Sequence, residues 1–309
     1  MLGGMSEIIL HHYDLSPYAE KIRLALGRKA LPWRSVETPM VMPKPDHVEL
    51  TGGYRRVPVL QLGADIYCDT HCIARALDRL YPDPPLSPRG QEAVEHALSR
   101  WAETTFLLGV HALFALGGVF PEEFVEGRRK TMVPPGLSLD SLNVVLPTRM
   151  LQIRANLARL ERQLSDGRAF LLGAEPSLAD LSAFHPLLMI GAHPRLAALL
   201  APLSRVAAWA ERVRAIGHGK STPLSSAEAI AIARAAQPAA LEGEPVLPEG
   251  MKLGDRVLIL ADEYGSGTVA GTLAASGLDE IAVRRQTERA GEVVVHFPRE
   301  DYSVVAAGV

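Results

Sequence analysis

The fold is decided by the stretch EIILHHYDLSPYAEKIRLALGRKALPWRSVETP, which spans residues 7–39. It opens with a short apolar run, passes through Ser16-Pro17 into apolar residues at helical spacing, and ends in a second apolar run. Proline is favoured at the first position of a helix because its missing N–H has no helical partner there. The pattern therefore predicts a β-α-β start with Ser16 as the N-cap of the helix.

The segments that follow complete a compact α/β unit. Residues 57–68, VPVLQLGADIYC, contain two apolar runs around Gly63-Ala64-Asp65 and predict a β-hairpin. Residues 69–81, DTHCIARALDRLY, predict a helix that Pro82 ends. A proline-dense stretch comes next, so we place the boundary of this first domain at residues 1–86.

The rest of the chain divides into a helical part and a strand-rich end. Residues 87–220 carry an almost wholly helical pattern, interrupted by an irregular segment at 119–145. Residues 221–245 read as a short helix and a linker. Residues 246–309 contain five short alternating strands separated by glycine and acidic turns, which predicts a small all-β module of the SH3-like barrel type.

Composition excludes several classes of protein. The chain has 309 residues, of which 48% are hydrophobic, and a formal net charge of -3, so nothing favours binding to nucleic acid or to an anionic membrane. Cys68 and Cys72 lie one helical turn apart, where a disulfide is geometrically poor, which favours free thiols in the cytoplasm. The Cys-x-x-His-Cys spacing is not that of a zinc site, and no metal is expected.

Four motifs, taken in order, resemble those of the cytosolic glutathione transferases. They are YDLSPYAEKIR (13–23), RRVPVL (55–60), YCDTHCIARAL (67–77) and FLLGAEPSLADL (170–181). The resemblance covers about residues 6–218 and implies a thioredoxin-like N-terminal domain followed by an all-α domain. It also implies a cytoplasmic homodimer that acts in detoxification, with glutathione as co-substrate and no other cofactor. The family says nothing about residues 246–309.

The resemblance implies a glutathione site built from these motifs. A cis peptide at Val57-Pro58 would present the backbone of Val57 to the cysteinyl part of glutathione, like an added strand. Asp69 and Thr70 begin a helix whose N–H groups would hold the γ-glutamyl end. The basic residues that could reach the glycyl carboxylate are Arg56, Arg55 and Lys44.

The sequence SPYA resembles the Cys-Pro-Tyr-Cys of glutaredoxins with both cysteines replaced. Ser16 occupies the nucleophile position and Ala19 the resolving position, and serine cannot exchange disulfides, because exchange requires a thiolate. A hydroxyl at a helix N-terminus can instead stabilise the thiolate of bound glutathione. Tyr13, at the end of the first strand, is the rival donor, and we favour Ser16.

Two functions from different classes follow. The first is a glutathione transferase, or a glutathione-dependent isomerase, that acts on a small hydrophobic electrophile and has no nucleic-acid or membrane partner. The second is a catalytically weak glutathione-binding or scaffold protein whose C-terminal β module mediates an interaction. The candidates for the second-substrate pocket are Trp101, Phe106, His111 and Phe114, with residues 119–145 as a lid.

Ser177 and Asp180 form a polar pair before an apolar run. Their spacing is that of a capping box, so we assign them a structural role and not a catalytic one.

Overall fold

The computed structural model describes residues 6–129, 139–241, 243–262 and 267–308. Its elements, in chain order, are β1 Ile8–His12, α1 Pro17–Arg28, β2 Pro32–Glu37, α2 Pro45–Thr51, β3 Val59–Leu62, β4 Asp65–Cys68, α3 Thr70–Leu80, α4 Glu92–Leu116, α5 Glu122–Arg129, α6 Leu139–Gln163, α7 Leu178–Gly191, α8 Pro194–Ala197, α9 Ser204–Arg214, β5 Lys220–Pro223, α10 Ser226–Ala235, β6 Arg256–Ala261, β7 Thr268–Ser276, β8 Glu280–Thr287, β9 Gly291–Pro298 and β10 Tyr302–Ala306.

The chain folds into two compact units, and both are discontinuous in sequence. The first comprises Met1–Ala19, Pro32–Ala76 and Ser221–Val309, and the second comprises Glu20–Leu31 and Leu77–Lys220. Residues 221–309, which the sequence suggested as a linker and a separate module, therefore belong to the same unit as the N-terminal strands.

The first unit is built on a ten-stranded sheet of order β10-β6-β7-β8-β9-β4-β3-β1-β2-β5. β1 and β2 run parallel, as the β-α-β pattern predicted, and β3 and β4 form the predicted antiparallel hairpin. The strands β6 to β10 fall within the five alternating runs of the C-terminal module, so the prediction of a small β module is confirmed.

The module joins the N-terminal sheet through β9, which pairs in parallel with β4. The partners are Asp65↔Val294, Ile66↔Val295 and Tyr67↔His296, and the N–H of Val294 donates to the carbonyl of Ala64 at 3.0 Å. An edge strand exposes a row of unpaired N–H and C=O groups, and this pairing satisfies those of β4 within the same chain.

Apolar residues from both ends of the chain share one core on this sheet. The hairpin contributes Val59, Ile66 and Cys68, which pack in the same cluster as module residues such as Val283 and Val295. Since a small five-stranded module buries little apolar surface by itself, the shared core is what makes it part of the first unit.

Two short helices complete the first unit. The polar, proline-rich connection at residues 42–56 contains α2, a helix that the flanking prolines and Gly52-Gly53 conceal in the sequence. The predicted alanine-rich helix is α10, and the hydroxyl of Ser226 at its start donates to Asp46 of α2 at 2.5 Å. The segment 221–245 is therefore packed against the sheet region and not only a connector.

The second unit is helical, as predicted. Within the segment 119–145, residues 122–129 form α5 and α6 begins at Leu139. Pro134-Pro135 lie outside the described residues.

The carboxylate of Asp180 is buried in this unit and accepts several hydrogen bonds. It accepts the backbone N–H of Leu171 at 2.8 Å and of Ser177 at 2.9 Å, the Ser177 hydroxyl at 2.9 Å and the Trp209 indole N–H at 2.8 Å. The structure therefore places the pair in the predicted capping role.

Replacing Asp180 by alanine should cost about 3–5 kcal/mol of stability, because it leaves several buried donors without an acceptor. Ser177→Ala keeps that acceptor and should cost about 1 kcal/mol. Urea denaturation followed by tryptophan fluorescence measures both. Equal losses in the two variants would contradict the central role of Asp180.

A buried ionic cluster lies at the seam between β4 and β9. The His296 side chain, in a residue that is 1% exposed, contacts Glu280 Oε1 through Nδ1 at 2.7 Å and Asp65 Oδ1 through Nε2 at 3.0 Å. Its ring stacks on Tyr67, with 4.3 Å between centroids. Burial alone would lower the pKa of His296, but hydrogen bonds and charges from Asp65 and Glu280 outweigh it and raise the pKa above 6.5.

This raised pKa makes the stability of the first unit depend on pH. A group whose pKa is higher in the folded state stabilises fully below its unfolded pKa, here 6.5, and loses that contribution as pH rises through the folded pKa. We expect the contribution of His296, taken as the difference in free energy of unfolding between wild type and His296→Gln and measured with urea from about pH 6 to about pH 9, to fall with pH.

His296→Gln should remove this part of the pH slope, whereas His96→Gln, on α4 of the second unit, should preserve it. Identical slopes for wild type and His296→Gln would show that His296 does not carry the effect.

Candidate functional site

Three predicted site segments emerge at one edge of the sheet. His11 of β1 pairs with Val59 of β3, and Val59 pairs in turn with Cys68 of β4. Both pairings are antiparallel, so the carboxyl ends of β1 and β4 and the beginning of β3 lie side by side. Asp69 follows Cys68 directly, Val57 lies two residues before Val59, and Ser16 lies five residues after His11. The fold therefore brings the three segments to the same edge of the sheet.

The Val57-Pro58 peptide is cis, as the resemblance implied. β3 begins at Val59, so the N–H and C=O of Val57 lie outside the ladder of that strand. Backbone groups in such a position can pair with an extended ligand.

Ser16 caps α1, as the sequence predicted. Its Oγ accepts the backbone N–H of Ala19 at 3.2 Å, and the residue is only 3% exposed. A serine hydroxyl has one donor and two acceptor positions, and the cap uses an acceptor. Ser16 can therefore cap the helix and donate its proton to an anion at the same time.

Tyr13 is also buried, and a cation lies over its ring. The Nζ of Lys44 is 5.8 Å from the Tyr13 ring centroid and donates to the carbonyl of Arg55 at 3.2 Å. Lys44 precedes α2 and is itself buried. Tyr13, Lys44 and Arg55 thus form one contact group beside the segment that leads to Val57.

Asp69 caps α3. It has a left-handed backbone, with φ of 77°, and its Oδ1 accepts the backbone N–H of His71 at 2.9 Å. Thr70, the first residue of α3, is buried beside it. Asp69 therefore has a structural role as a helix cap, and the N-terminus of α3 lies at the same edge of the sheet.

Two tyrosines missed in the sequence lie next to Asp69. The hydroxyl of Tyr302 is 3.5 Å from Asp69 Oδ2, and Tyr54 hydrogen-bonds to Tyr302. Burial raises the pKa of both tyrosines well above the ordinary value, and the positive charge of Arg56 offsets part of this rise. Arg56 therefore lies close enough to act on the Asp69 end of the site. No local signal marks Tyr302, since an aromatic residue in a short strand is ordinary core.

The four residues proposed for a second-substrate pocket lie on α4 of the second unit. Phe106 lies five residues from both Trp101 and His111, so its side chain points about 140° away from each of theirs around the helix. Phe106 packs on His185, Phe114 stacks on Phe120, and burial lowers the pKa of His111. Trp101 lines a small cavity with residues of α6 and α7. By this spacing the four side chains do not share one face of α4.

The described residues contain neither a metal-binding cluster nor a membrane-spanning helix. No group of three or more His, Cys, Asp or Glu there could hold a metal ion. In the same part of the chain, no helix has both the length and the apolar character to cross a membrane.

A thioredoxin-like sheet joined in one chain to an all-helical unit defines the class of the glutathione transferases. The model of the glutathione S-transferase N-terminal domain matches residues 10–85, and that of the C-terminal domain matches residues 148–212. A crystal structure of a GST-like protein from Pseudomonas syringae is 43% identical, with a TM-score of 0.79, over 98% of this chain and 100% of that one. The chain belongs to the glutathione S-transferase family.

Two further relatives show how widely the family varies. FtsZ-localized protein A of Caulobacter vibrioides is 26% identical over 182 residues, which are 57% of this chain and 74% of that protein. Glutathione S-transferase U1 of Arabidopsis thaliana is 29% identical over 89 residues, 28% of this chain and 39% of that protein. In contrast to both, the Pseudomonas syringae protein matches nearly the whole chain.

The two cysteines should be unreactive in the native protein. Cys68 and Cys72 are free and buried, and burial raises the pKa of each thiol well above its ordinary value. Because the thiolate is the reactive form, we expect no labelling by a disulfide-type thiol reagent near pH 7.5 until denaturant is added. Rapid reaction of either cysteine in the native state would contradict this.

Proposed function

We propose that this protein binds glutathione and activates its thiol for attack on a small hydrophobic electrophile. Family membership supports the proposal. The observation that carries it is the emergence of Ser16, Val57 and Asp69 at one edge of the sheet, next to two helix N-termini.

Each part of glutathione has a matching group at this edge. The cysteinyl backbone pairs with the N–H and C=O of Val57, as an added strand does. The γ-glutamyl ammonium donates to Asp69, and its carboxylate accepts from Thr70 and the first N–H groups of α3. The glycyl carboxylate accepts from Arg56, and Arg55 or Lys44 is the alternative donor. This arrangement directs the sulfur towards the start of α1.

The interactions available at the start of α1 are strong enough to stabilise a thiolate over a neutral thiol. A free thiol has a pKa of about 8.5, and lowering it by about two units requires about 2.7 kcal/mol of preferential thiolate binding. A hydrogen bond to a charged group contributes about 1.5–3 kcal/mol, and a helix N-terminus adds about 0.3–1 kcal/mol. One donated hydrogen bond from Ser16 and the dipole of α1 therefore suffice.

Removing the hydroxyl of Ser16 should raise the thiol pKa of bound glutathione by about one to two units. Thiolate absorbance measured against pH in the complex reports this value. Ser16→Thr keeps the hydroxyl and the cap and should match wild type, whereas Ser16→Ala loses both.

Tyr13→Phe tests the rival donor and should leave the thiol pKa unchanged. A pKa raised by Tyr13→Phe and unaffected by Ser16→Ala would assign the role to Tyr13 instead. Equal pKa values in all four proteins would show that neither hydroxyl activates the thiol.

We further propose a cytoplasmic homodimer active in detoxification, in which α4 receives the electrophile and Trp101, Phe106, His111 and Phe114 are separate candidate contacts for it. Family membership is the support for the homodimer and for the activity. Light scattering measures the mass directly, and a monomer would remove that part of the proposal.

A second function has a specific observation in its favour. One relative is named for its localisation with FtsZ, and this chain carries a β module outside the two matched domain models. The alternative is a catalytically weak glutathione-binding or scaffold protein whose module mediates an interaction. Retention on glutathione-agarose without turnover of a broad electrophile panel would favour this alternative. Failure to bind glutathione would reject the transferase.

A further inference from the structure

The C-terminal β module contributes a residue to the glutathione site. We infer that Tyr302 of β10 is a positioning residue that orients the Asp69 carboxylate to receive the α-ammonium of the γ-glutamyl group. The contact that carries the inference is the 3.5 Å between the Tyr302 hydroxyl and Asp69 Oδ2. The inference rests on the proposed function and assigns part of the same site to the C-terminal module.

Tyr302 supplies the second hydrogen bond that holds the Asp69 carboxylate in one orientation. The backbone N–H of His71 donates to Oδ1 at 2.9 Å, and Tyr302 donates to Oδ2. One hydrogen bond leaves the carboxylate free to turn about its terminal bond, whereas one on each oxygen fixes its plane. Each carboxylate oxygen has two acceptor positions, so both oxygens still accept from an ammonium group.

The hydroxyl of Tyr302 is held rigidly and carries its proton. The residue is 6% exposed, its ring packs on Phe297 with 5.2 Å between centroids, and Phe297 in turn meets Tyr54 edge-on at 6.1 Å. Burial, together with the neighbouring Tyr54 and Asp69, raises the pKa of Tyr302 well above its ordinary value. Tyr302 is therefore a proton donor at every pH near neutrality.

The module also holds the segment 44–56. Arg285 donates to the carbonyl of Glu49 at 3.2 Å, and Arg289 pairs with Asp46 at 2.5 Å. A Cβ on Gly53, which has a φ of 120°, would lie 2.8 Å from the carbonyl oxygen of Thr268. The backbones of the module and of this segment are thus as close as a glycine permits.

These contacts converge on the two regions proposed to bind opposite ends of glutathione. β10 reaches Asp69, and β7 and β8 brace the segment that carries Lys44 and Arg56. An independently folded appendage would touch neither region. The module therefore supports the residues of the site, and Tyr302 is its contact with the γ-glutamyl end.

The test compares two ligands, glutathione and an analogue that lacks the γ-glutamyl amino group, in the full-length protein by calorimetry. Tyr302→Phe removes only the hydroxyl. It should weaken glutathione binding about threefold to tenfold, the range of one net hydrogen bond, and leave binding of the analogue unchanged. Asp69→Asn should remove the preference for glutathione over the analogue.

Phe297→Leu is the matched packing control. It disturbs the aromatic contact behind Tyr302 without removing a hydroxyl, and it should leave the ratio of the two affinities as in wild type. A merely structural role for Tyr302 would change both affinities together.

Three results would overturn the inference while leaving glutathione binding intact. They are an unchanged affinity ratio in Tyr302→Phe, tighter glutathione binding in that variant, and equal affinity of the wild type for both ligands. Failure of the wild type to bind either ligand would overturn the proposed function and the inference with it.

Discussion

The parallel pairing of β4 with β9 is the constraint on which the first unit depends. It satisfies the edge of β4, joins the C-terminal module to the N-terminal sheet and closes a core to which the hairpin and the module both contribute. Sheet pairing alone does not specify one register, since a shift by one residue keeps the backbone hydrogen bonds but reverses every side chain. The contacts of His296 with Asp65 and Glu280 select the register, because any other would leave buried charges unpaired.

The pairing of β4 with β9 gives the C-terminal β module a role in the candidate site. In chain order its residues follow a helical unit and resemble an appended module. In the sheet β9 lies directly beside β4, which is one strand of the hairpin flanked by Val57 and Asp69. Through Tyr302 and Arg285, residues from the C-terminal part of the chain approach the segments on either side of the candidate site. Residues from both ends of the chain therefore contribute to the first unit at these segments.

Local patterns predicted much of this structure. The Ser-Pro start of α1, the hairpin, the helix cap at Asp180 and the alternating strands of the module each depend on residues close in sequence, where propensity and periodicity act directly. The pairing of Asp65 with His296 could not be predicted, because they are 231 positions apart and each resembles an ordinary polar residue. Helix α2 was missed because prolines and glycines flank its 7 residues, and Tyr302 because its role exists only once β10 reaches Asp69.

The discontinuity of the first unit has a consequence during synthesis on the ribosome. β3 and β4 leave the ribosome early, but β9 follows only after the whole helical unit has been translated. At about 5–20 residues per second, the edge of β4 stays uncovered for roughly 10 to 50 seconds on every nascent chain. The newly made protein therefore carries an open strand edge that the finished protein lacks, and a chaperone that covers such edges would act on this chain before its last strands arrive.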